Sequence, residues 1–228
     1  MKSLLPPAPA YIITATDTDA GKTTAMVELL RINDGRYWKP MQSGRDAAGR
    51  TDTDIVRATT GLPDTHFLPE TYCLTQPLSP HRAAELDGVV IDLEKILDDY
   101  KKHLSCFTGY AGLVGPAQAR PHASCLYIEG AGGLMVPVTR DLLQIDLFVQ
   151  MQAVAPTPII LVARTALGTI NHTLLSLEAI RARGLPLAGV LFCGPENDDN
   201  IQTILDFARR NMPITNLGHL SFPHSCLT

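Results

Sequence analysis

Paired cysteines are missing from this sequence. Its five cysteines, Cys73, Cys106, Cys125, Cys193 and Cys226, are odd in number and form no Cys-x-x-Cys unit. That argues against a disulfide framework and a structural zinc site, and for reduced thiols in a cytoplasmic protein. A strong charge of either sign is missing too: the formal net charge is −4, which gives no general reason to bind nucleic acid. No apolar run approaches the roughly 20 residues of a membrane helix, so no membrane partner is expected. The start, Met1-Lys2-Ser3-Leu4-Leu5-Pro6-Pro7, is too short in apolar residues for a signal peptide, and its prolines break it. No internal repeat and no linker divides the chain, so residues 1–228 read as one domain large enough for its own core.

What is present is an alternation. Apolar, β-branched runs at 10–14, 36–39, 125–129, 158–163 and 187–193 read as buried strands, with a weaker one near 214–217. Helical patterns fall between them, at 23–31, 53–60, 93–104, 143–153, 169–183 and 199–211. Such an order predicts an α/β fold with a mostly parallel central sheet and helices on both faces. Ligands of these sheets lie at the carboxyl ends of the strands. The stretch 105–124, rich in Gly, Ala and Pro and without period, reads as an inserted surface loop.

The first strand leads into Thr16-Asp17-Thr18-Asp19-Ala20-Gly21-Lys22-Thr23-Thr24 and then into a helix. A strand, a tight loop and Gly-Lys-Thr opening a helix is the layout of a phosphate-binding loop. It makes the expected fold a three-layer P-loop NTPase. Gly21 lets the backbone approach phosphate oxygens, and first-turn N–H groups with the helix dipole favour the anion. Lys22 is placed for the β/γ-phosphates, and the Thr23 hydroxyl for Mg²⁺. The spacing is not the standard one: five residues separate Gly21 from the position where a glycine would open the motif, and that position is Ala15.

Further polar groups fall near strand ends. Lys39 precedes a loop carrying Ser43 and is a second cation for the same anion. In Arg50-Thr51-Asp52-Thr53-Asp54, Asp52 suits a helix N-cap, which leaves Asp54 as the candidate metal ligand. Leu78-Ser79-Pro80-His81 opens a helix, and His81 is not assigned a catalytic role. Leu126-Tyr127-Ile128-Glu129-Gly130-Ala131-Gly132-Gly133 ends a buried strand in a carboxylate, the usual way an NTPase completes the Mg²⁺ shell. Thr23, Asp54 and Glu129, with phosphate oxygens, suffice for a hard cation. Cysteine and histidine occur at none of these positions, against zinc or iron.

In this combination the chain resembles the dethiobiotin synthetase family. The resemblance rests on the loop from Thr16 to Thr23, on Lys39-Pro40-Met41-Gln42-Ser43-Gly44, Leu78-Ser79-Pro80-His81, Glu129-Gly130-Ala131-Gly132-Gly133, and Leu167-Gly168-Thr169-Ile170-Asn171-His172. It implies a cyclo-ligase that takes 7,8-diaminononanoate, CO₂ or bicarbonate, and ATP with Mg²⁺, and closes the ureido ring of dethiobiotin. It further implies that Thr18 and Ser43 bind the diamine or carbamate end. Lys39 binds the carbamate and the migrating phosphoryl group, and Lys22 the β/γ-phosphates. Thr23, Asp54 and Glu129 hold the metal. The backbone from Asp19 through Ala20, Gly21, Lys22 and Thr23 to Thr24 wraps the phosphates, with Glu129, Gly130, Ala131 and Gly132 also at the nucleotide. The substrate carboxylate meets Gly168, Thr169, Ile170 and Asn171 of a neighbouring subunit, which implies a functional homodimer.

Where the family often carries an adenine-reading asparagine, this sequence has Cys193 and then Gly194. Cysteine is a poor replacement for a group that both donates and accepts. Weak base discrimination, with other nucleoside triphosphates accepted, is the expectation. Two other readings fit less well. The amidating cobyrinate enzymes need a glutamine amidotransferase domain for which this chain is too short. Partition-type nucleotide switches carry a second lysine early in the loop, where this chain has Thr16, and there is no basic patch or amphipathic tail.

Overall fold

The computed structural model describes residues 5–105 and 125–221. Its elements alternate as expected: β1 (Ala10–Ala15), α1 (Lys22–Ile32), β2 (Gly35–Trp38), β3 (Met41–Ser43), α2 (Asp52–Thr60), β4 (Tyr72–Leu74), α3 (Pro80–Asp87), α4 (Leu93–Ser105), β5 (Cys125–Gly133), α5 (Gln144–Val154), β6 (Ile159–Arg164), α6 (Thr169–Ala182), β7 (Leu187–Cys193), α7 (Asp198–Ala208) and β8 (Asn216–Leu220). Six strands form one sheet in the order β2-β5-β1-β6-β7-β8, and every pairing in it is parallel.

Alternation along β1 splits the core in two. Ala10 and Ile12 point to the face covered by α4, α5, α6 and α7, with Tyr100, Phe148, Ile180 and Ile204 among their neighbours. Tyr11, Ile13 and Ala15 point to the other face, which α1 covers with Ala25, Met26, Leu29 and Leu30. Both faces are therefore apolar, and the central strands read as continuous hydrophobic runs rather than alternating ones. The result is the expected three-layer α/β architecture.

Three differences from the sequence reading have local causes. β5 runs four residues past Glu129 because the glycine segment stays paired, with Ala15 opposite Gly133. β8 begins at Asn216, two residues after Ile214, and runs past Leu217 to Leu220. It is an edge strand with Gly218 at φ +119°, so its pattern is weak. Met41–Ser43 and Tyr72–Leu74 pair in parallel outside the main sheet. Three-residue strands are too short to show a period, which is why Ser43 reads as a loop residue. The proposed insertion at 105–124 lies, after Ser105, outside the described residues.

Candidate active site

Strand register alone brings the charged groups together. β2 and β5 are adjacent, with Trp38 opposite Ile128. The next residues on each strand are Lys39 and Glu129, which therefore meet at the carboxyl edge. β1 flanks β5 on its other side, with Ile13 opposite Glu129, and delivers the phosphate loop beside them.

The loop turns through two left-handed residues, Asp19 at φ 55° and Gly21 at φ 99°. Aspartate tolerates that conformation better than most side chains, and glycine has no penalty there. Gly21 is the N-cap of α1, no side chain caps the helix, and its first turn holds no acid. The helical ladder begins with Ala25 N to Gly21 O at 2.9 Å, so the N–H groups of Lys22, Thr23 and Thr24 precede it. A helix start of this kind, with its positive dipole end uncapped, suits an anion. The glycine segment lies against the loop: a Cβ on Gly132 would sit 3.6 Å from Thr18 Oγ1. It is held from behind by the buried Gln144, whose Oε1 accepts from Ala131 N at 2.7 Å and whose Nε2 donates to Gly133 O at 3.1 Å.

Two lysines and two carboxylates converge in front of this loop. Lys39 is buried and donates to Glu129 Oε1 at 2.9 Å and to Asp52 Oδ2. Burial pushes its pKa down, but the Glu129 and Asp52 charges outweigh burial and hold it above the ordinary lysine range. Lys22 is buried too, and its Nζ lies 3.4 Å from Asp17 O. Burial is the main reason its pKa falls below the usual value; Glu129 opposes that shift and Lys39 adds to it. Glu129 Oε2 accepts from Tyr37 Oη at 3.1 Å. Burial, followed by the Glu129 charge, raises the Tyr37 phenol well above its usual pKa, so it stays a donor.

The carboxylate beside Lys39 and the phosphate loop is Asp52, which corrects the expectation for Asp54. Thr51, not Asp52, caps α2. Its hydroxyl accepts from Asp54 N at 3.2 Å, and the Asp54 carboxylate accepts from Thr51 N at 2.9 Å. Asp54 also pairs with Arg57 at 3.0 Å. Its carboxyl is held below the usual range first by the Thr51 N–H. Asp54 is thus a capping-box residue. Asp52, one position into the helix, reaches the other way, with Oδ1 at 3.4 Å from Thr23 Oγ1. Gln42 fixes this helix start by accepting from Asp52 N at 3.2 Å while donating to Gly44 O at 2.9 Å.

The donor set has the chemistry of a hard cation site. The Thr23 hydroxyl and the Asp52 and Glu129 carboxylates are all oxygen donors, and no group of three or more His, Cys, Asp or Glu is gathered among the described residues. Few protein oxygens beside a phosphate loop fit Mg²⁺, which keeps waters and takes phosphate oxygens. Ser43 Oγ, at the end of β3, is buried without a hydrogen-bond partner, and so is Thr14 Oγ1 on β1. A buried hydroxyl of this kind costs free energy unless something binds it. His81 is engaged locally, with Nδ1 at 3.0 Å from Ser79 Oγ.

A family model described as an AAA domain matches residues 9–226. The ATP-dependent dethiobiotin synthetase BioD of Rhodopseudomonas palustris (strain TIE-1) is 47% identical over 195 residues, 86% of this chain and 79% of its own. The protein of the same name from Novosphingobium aromaticivorans is 42% identical over 216 residues, 94% of this chain and 91% of its own.

The chain belongs to the dethiobiotin synthetase family.

Three regions of this dethiobiotin synthetase chain, the start of the phosphate loop, the end of β7 and the start of α6, differ in how they are held. Ala15 is wholly buried in the strand and packs with the α1-side core, so the loop starts without a glycine at that point. Cys193 is buried in the same apolar cluster, and burial pushes its thiol up to about 12. It faces the core rather than offering polar atoms at the strand end. The nearby amides are occupied, since Asn197 and Asn200 both donate to Thr165 O, at 3.3 and 3.1 Å. Gly168, Thr169, Ile170 and Asn171 stand at the start of α6, beyond the end of β6. Gly168 is left-handed at φ 93°, the helix has no side-chain cap, and Leu167 before it is fully exposed. Thr169 donates to Arg164 O, and the Arg164 guanidinium pairs with Asp17 of the phosphate loop at 3.1 Å.

Tyr37 and Gln42, which orient Glu129 and Asp52, escaped the sequence reading. Their partners lie on other elements, and nothing in the local pattern marks them. Asp52 was legible, because Thr51-x-x-Asp54 is a capping-box signature that accounts for Asp54 and leaves Asp52 available.

Proposed function

We propose that this protein is an ATP-dependent dethiobiotin synthetase, closing the ureido ring on 7,8-diaminononanoate with CO₂ and converting ATP to ADP and phosphate. The observation that carries this reading is the match to relatives named for that activity, extending over 94% of the chain in one case. The cluster at the carboxyl edge supports it, because each step of the reaction finds a group of the right charge.

A carbamate on one amine attacks the γ-phosphorus through an oxygen, and the bond to the ADP oxygen breaks. The product is a mixed carbamic–phosphoric anhydride. The second amine then attacks the carbonyl carbon, phosphate leaves with the carbamate oxygen, and the amine loses its proton to solvent. Both amines belong to one molecule, so closure is effectively unimolecular once the chain is held. Lys22 holds the β/γ-phosphates against the uncapped start of α1. Lys39 neutralises the carbamate oxygen and the phosphoryl group as negative charge moves between them. The backbone N–H groups from Asp19 to Thr24 fix the phosphates in place. Thr18 and the unpartnered Ser43 hydroxyl bind the nitrogen end of the substrate. Thr23, Asp52 and Glu129 would hold Mg²⁺, which would supply charge neutralisation for phosphoryl transfer.

The carboxylate tail meets the uncapped α6 start, Gly168–Asn171, of a second copy, so the working form is a homodimer. Free thiols at Cys73, Cys125 and Cys193 suit a reducing, cytoplasmic setting. The test is phosphate release by the purified protein with MgATP, with and without 7,8-diaminononanoate and bicarbonate. Dethiobiotin is identified by mass. Release that requires both substrates and matches the dethiobiotin formed is expected. ATP hydrolysis indifferent to the diamine, with no dethiobiotin, would overturn the reading.

A further inference from the structure

Lys39 already serves as a cation between the two carboxylates assigned to the metal. Its ammonium donates to Glu129 Oε1 at 2.9 Å and to Asp52 Oδ2, with the lysine side chain 6% exposed and that of Glu129 1%. The remaining oxygens are committed elsewhere, Glu129 Oε2 to the Tyr37 phenol and Asp52 Oδ1 to the Thr23 hydroxyl. A divalent ion held by Thr23, Asp52 and Glu129 therefore meets an ammonium on the oxygens it needs. Two positive charges at that range, shielded from water, repel strongly.

Of the parties, only one is built to move. Glu129 stands on β5, an interior strand flanked by β2 and β1, and is pinned by Tyr37. Asp52 is fixed by the start of α2, which Gln42 holds. Lys39 is a point charge on a flexible four-carbon stem. We propose that Lys39 and a divalent cation are alternative occupants of the Asp52–Glu129 pocket, so that Lys39 leaves the carboxylates for a substrate anion when the cation takes their oxygens. This inference rests on the assignment of Asp52 and Glu129 made above. It makes Lys39 a reporter of metal loading: its charge is kept from the phosphoryl group until the metal and its nucleotide are in place.

The test measures Mn²⁺ binding by electron paramagnetic resonance to the full-length protein without nucleotide. Lys39→Met is expected to bind Mn²⁺ at least about tenfold more tightly than wild type, a difference of about 1.4 kcal/mol. Adding Glu129→Gln to that variant should remove the gain. Equal affinities in two proteins that both melt cooperatively would overturn the inference. Should Lys39→Met fail to fold, wild type answers alone. The ¹⁵N resonance of the Lys39 ammonium is compared in AMPPNP with EDTA and in AMPPNP with Mg²⁺. A change of position between the two is expected, and an identical resonance would overturn the proposal. Dethiobiotin formation by wild type is scored separately. Its absence removes the functional reading and leaves the Mn²⁺ comparison standing, whereas equal Mn²⁺ affinities in an active enzyme remove this inference alone.

Discussion

Asp52 and Asp54 are two residues apart and chemically identical, yet their asparagine variants should fail in different ways. Asp54 works in the capping box with Thr51 and pairs with Arg57. Asp54→Asn removes a carboxylate from a helix start, a loss of about 0.5–1 kcal/mol. At this chain length that lowers the melting temperature by about 1–4 °C. Its kcat should stay within about twofold of wild type. The stability gap also has a pH signature. The Asp54 carboxyl is held below its unfolded value, first by the Thr51 N–H, so its contribution is present above the unfolded pKa of about 4 and is lost as pH falls through the lower folded value. Wild type and Asp54→Asn should therefore converge in stability in acid. Asp52→Asn removes one of the two carboxylates on Lys39 and the partner of Thr23. A charge-assisted hydrogen bond is worth about 1.5–3 kcal/mol. With the metal loaded, Asp52 serves the cation rather than Lys39, and loss of a charged contact of that size lowers kcat roughly tenfold to hundredfold and raises the Mg²⁺ concentration for half-maximal rate. The assay is dethiobiotin formation across a Mg²⁺ titration, paired with thermal melts of both variants. A larger loss of turnover, or a larger rise in Mg²⁺ requirement, for Asp54→Asn than for Asp52→Asn would refute the assignment.

Other expectations follow from the same groups. Cys193 is buried in the α1-side core and offers no amide, so kcat/KM for ATP, CTP and GTP should lie within about tenfold of one another, the discrimination that about 1.4 kcal/mol supports; a hundredfold preference for ATP would contradict this. Lys22 has a lowered pKa, chiefly from burial, so its charge is lost at a lower pH than that of an ordinary lysine. ATP affinity, measured by calorimetry, should weaken on the alkaline side before the usual lysine range is reached, and an affinity flat through that range would show that Lys22 does not carry phosphate binding.

The fold was legible where burial is continuous. Tyr11-Ile12-Ile13, Leu126-Tyr127-Ile128 and the run from 187 to 193 sit in the middle of a parallel sheet, where both faces are covered and every residue is apolar. The phosphate loop was legible because its chemistry is local: Gly21, Lys22 and Thr23 work within one turn of chain. What depends on register was not. Tyr37 meets Glu129 across 92 positions of sequence, and only the pairing of β2 with β5 puts them in reach. The parallel pair formed by β3 and β4 is likewise non-local and too short for periodicity. Asp52 was misassigned for a different reason. An aspartate before an apolar helical run is a good N-cap, and so is a threonine; the acid three residues after Thr51 decides between them.

The path through an activated carbamate is tested most directly by oxygen transfer. With ¹⁸O-labelled CO₂ and unlabelled water and ATP, quenched before the label exchanges with solvent, the phosphate released by wild type should carry one ¹⁸O atom, read by ³¹P NMR. Phosphate free of label, formed together with dethiobiotin, would mean that the carbamate oxygen never joined the phosphoryl group between Lys22 and Lys39.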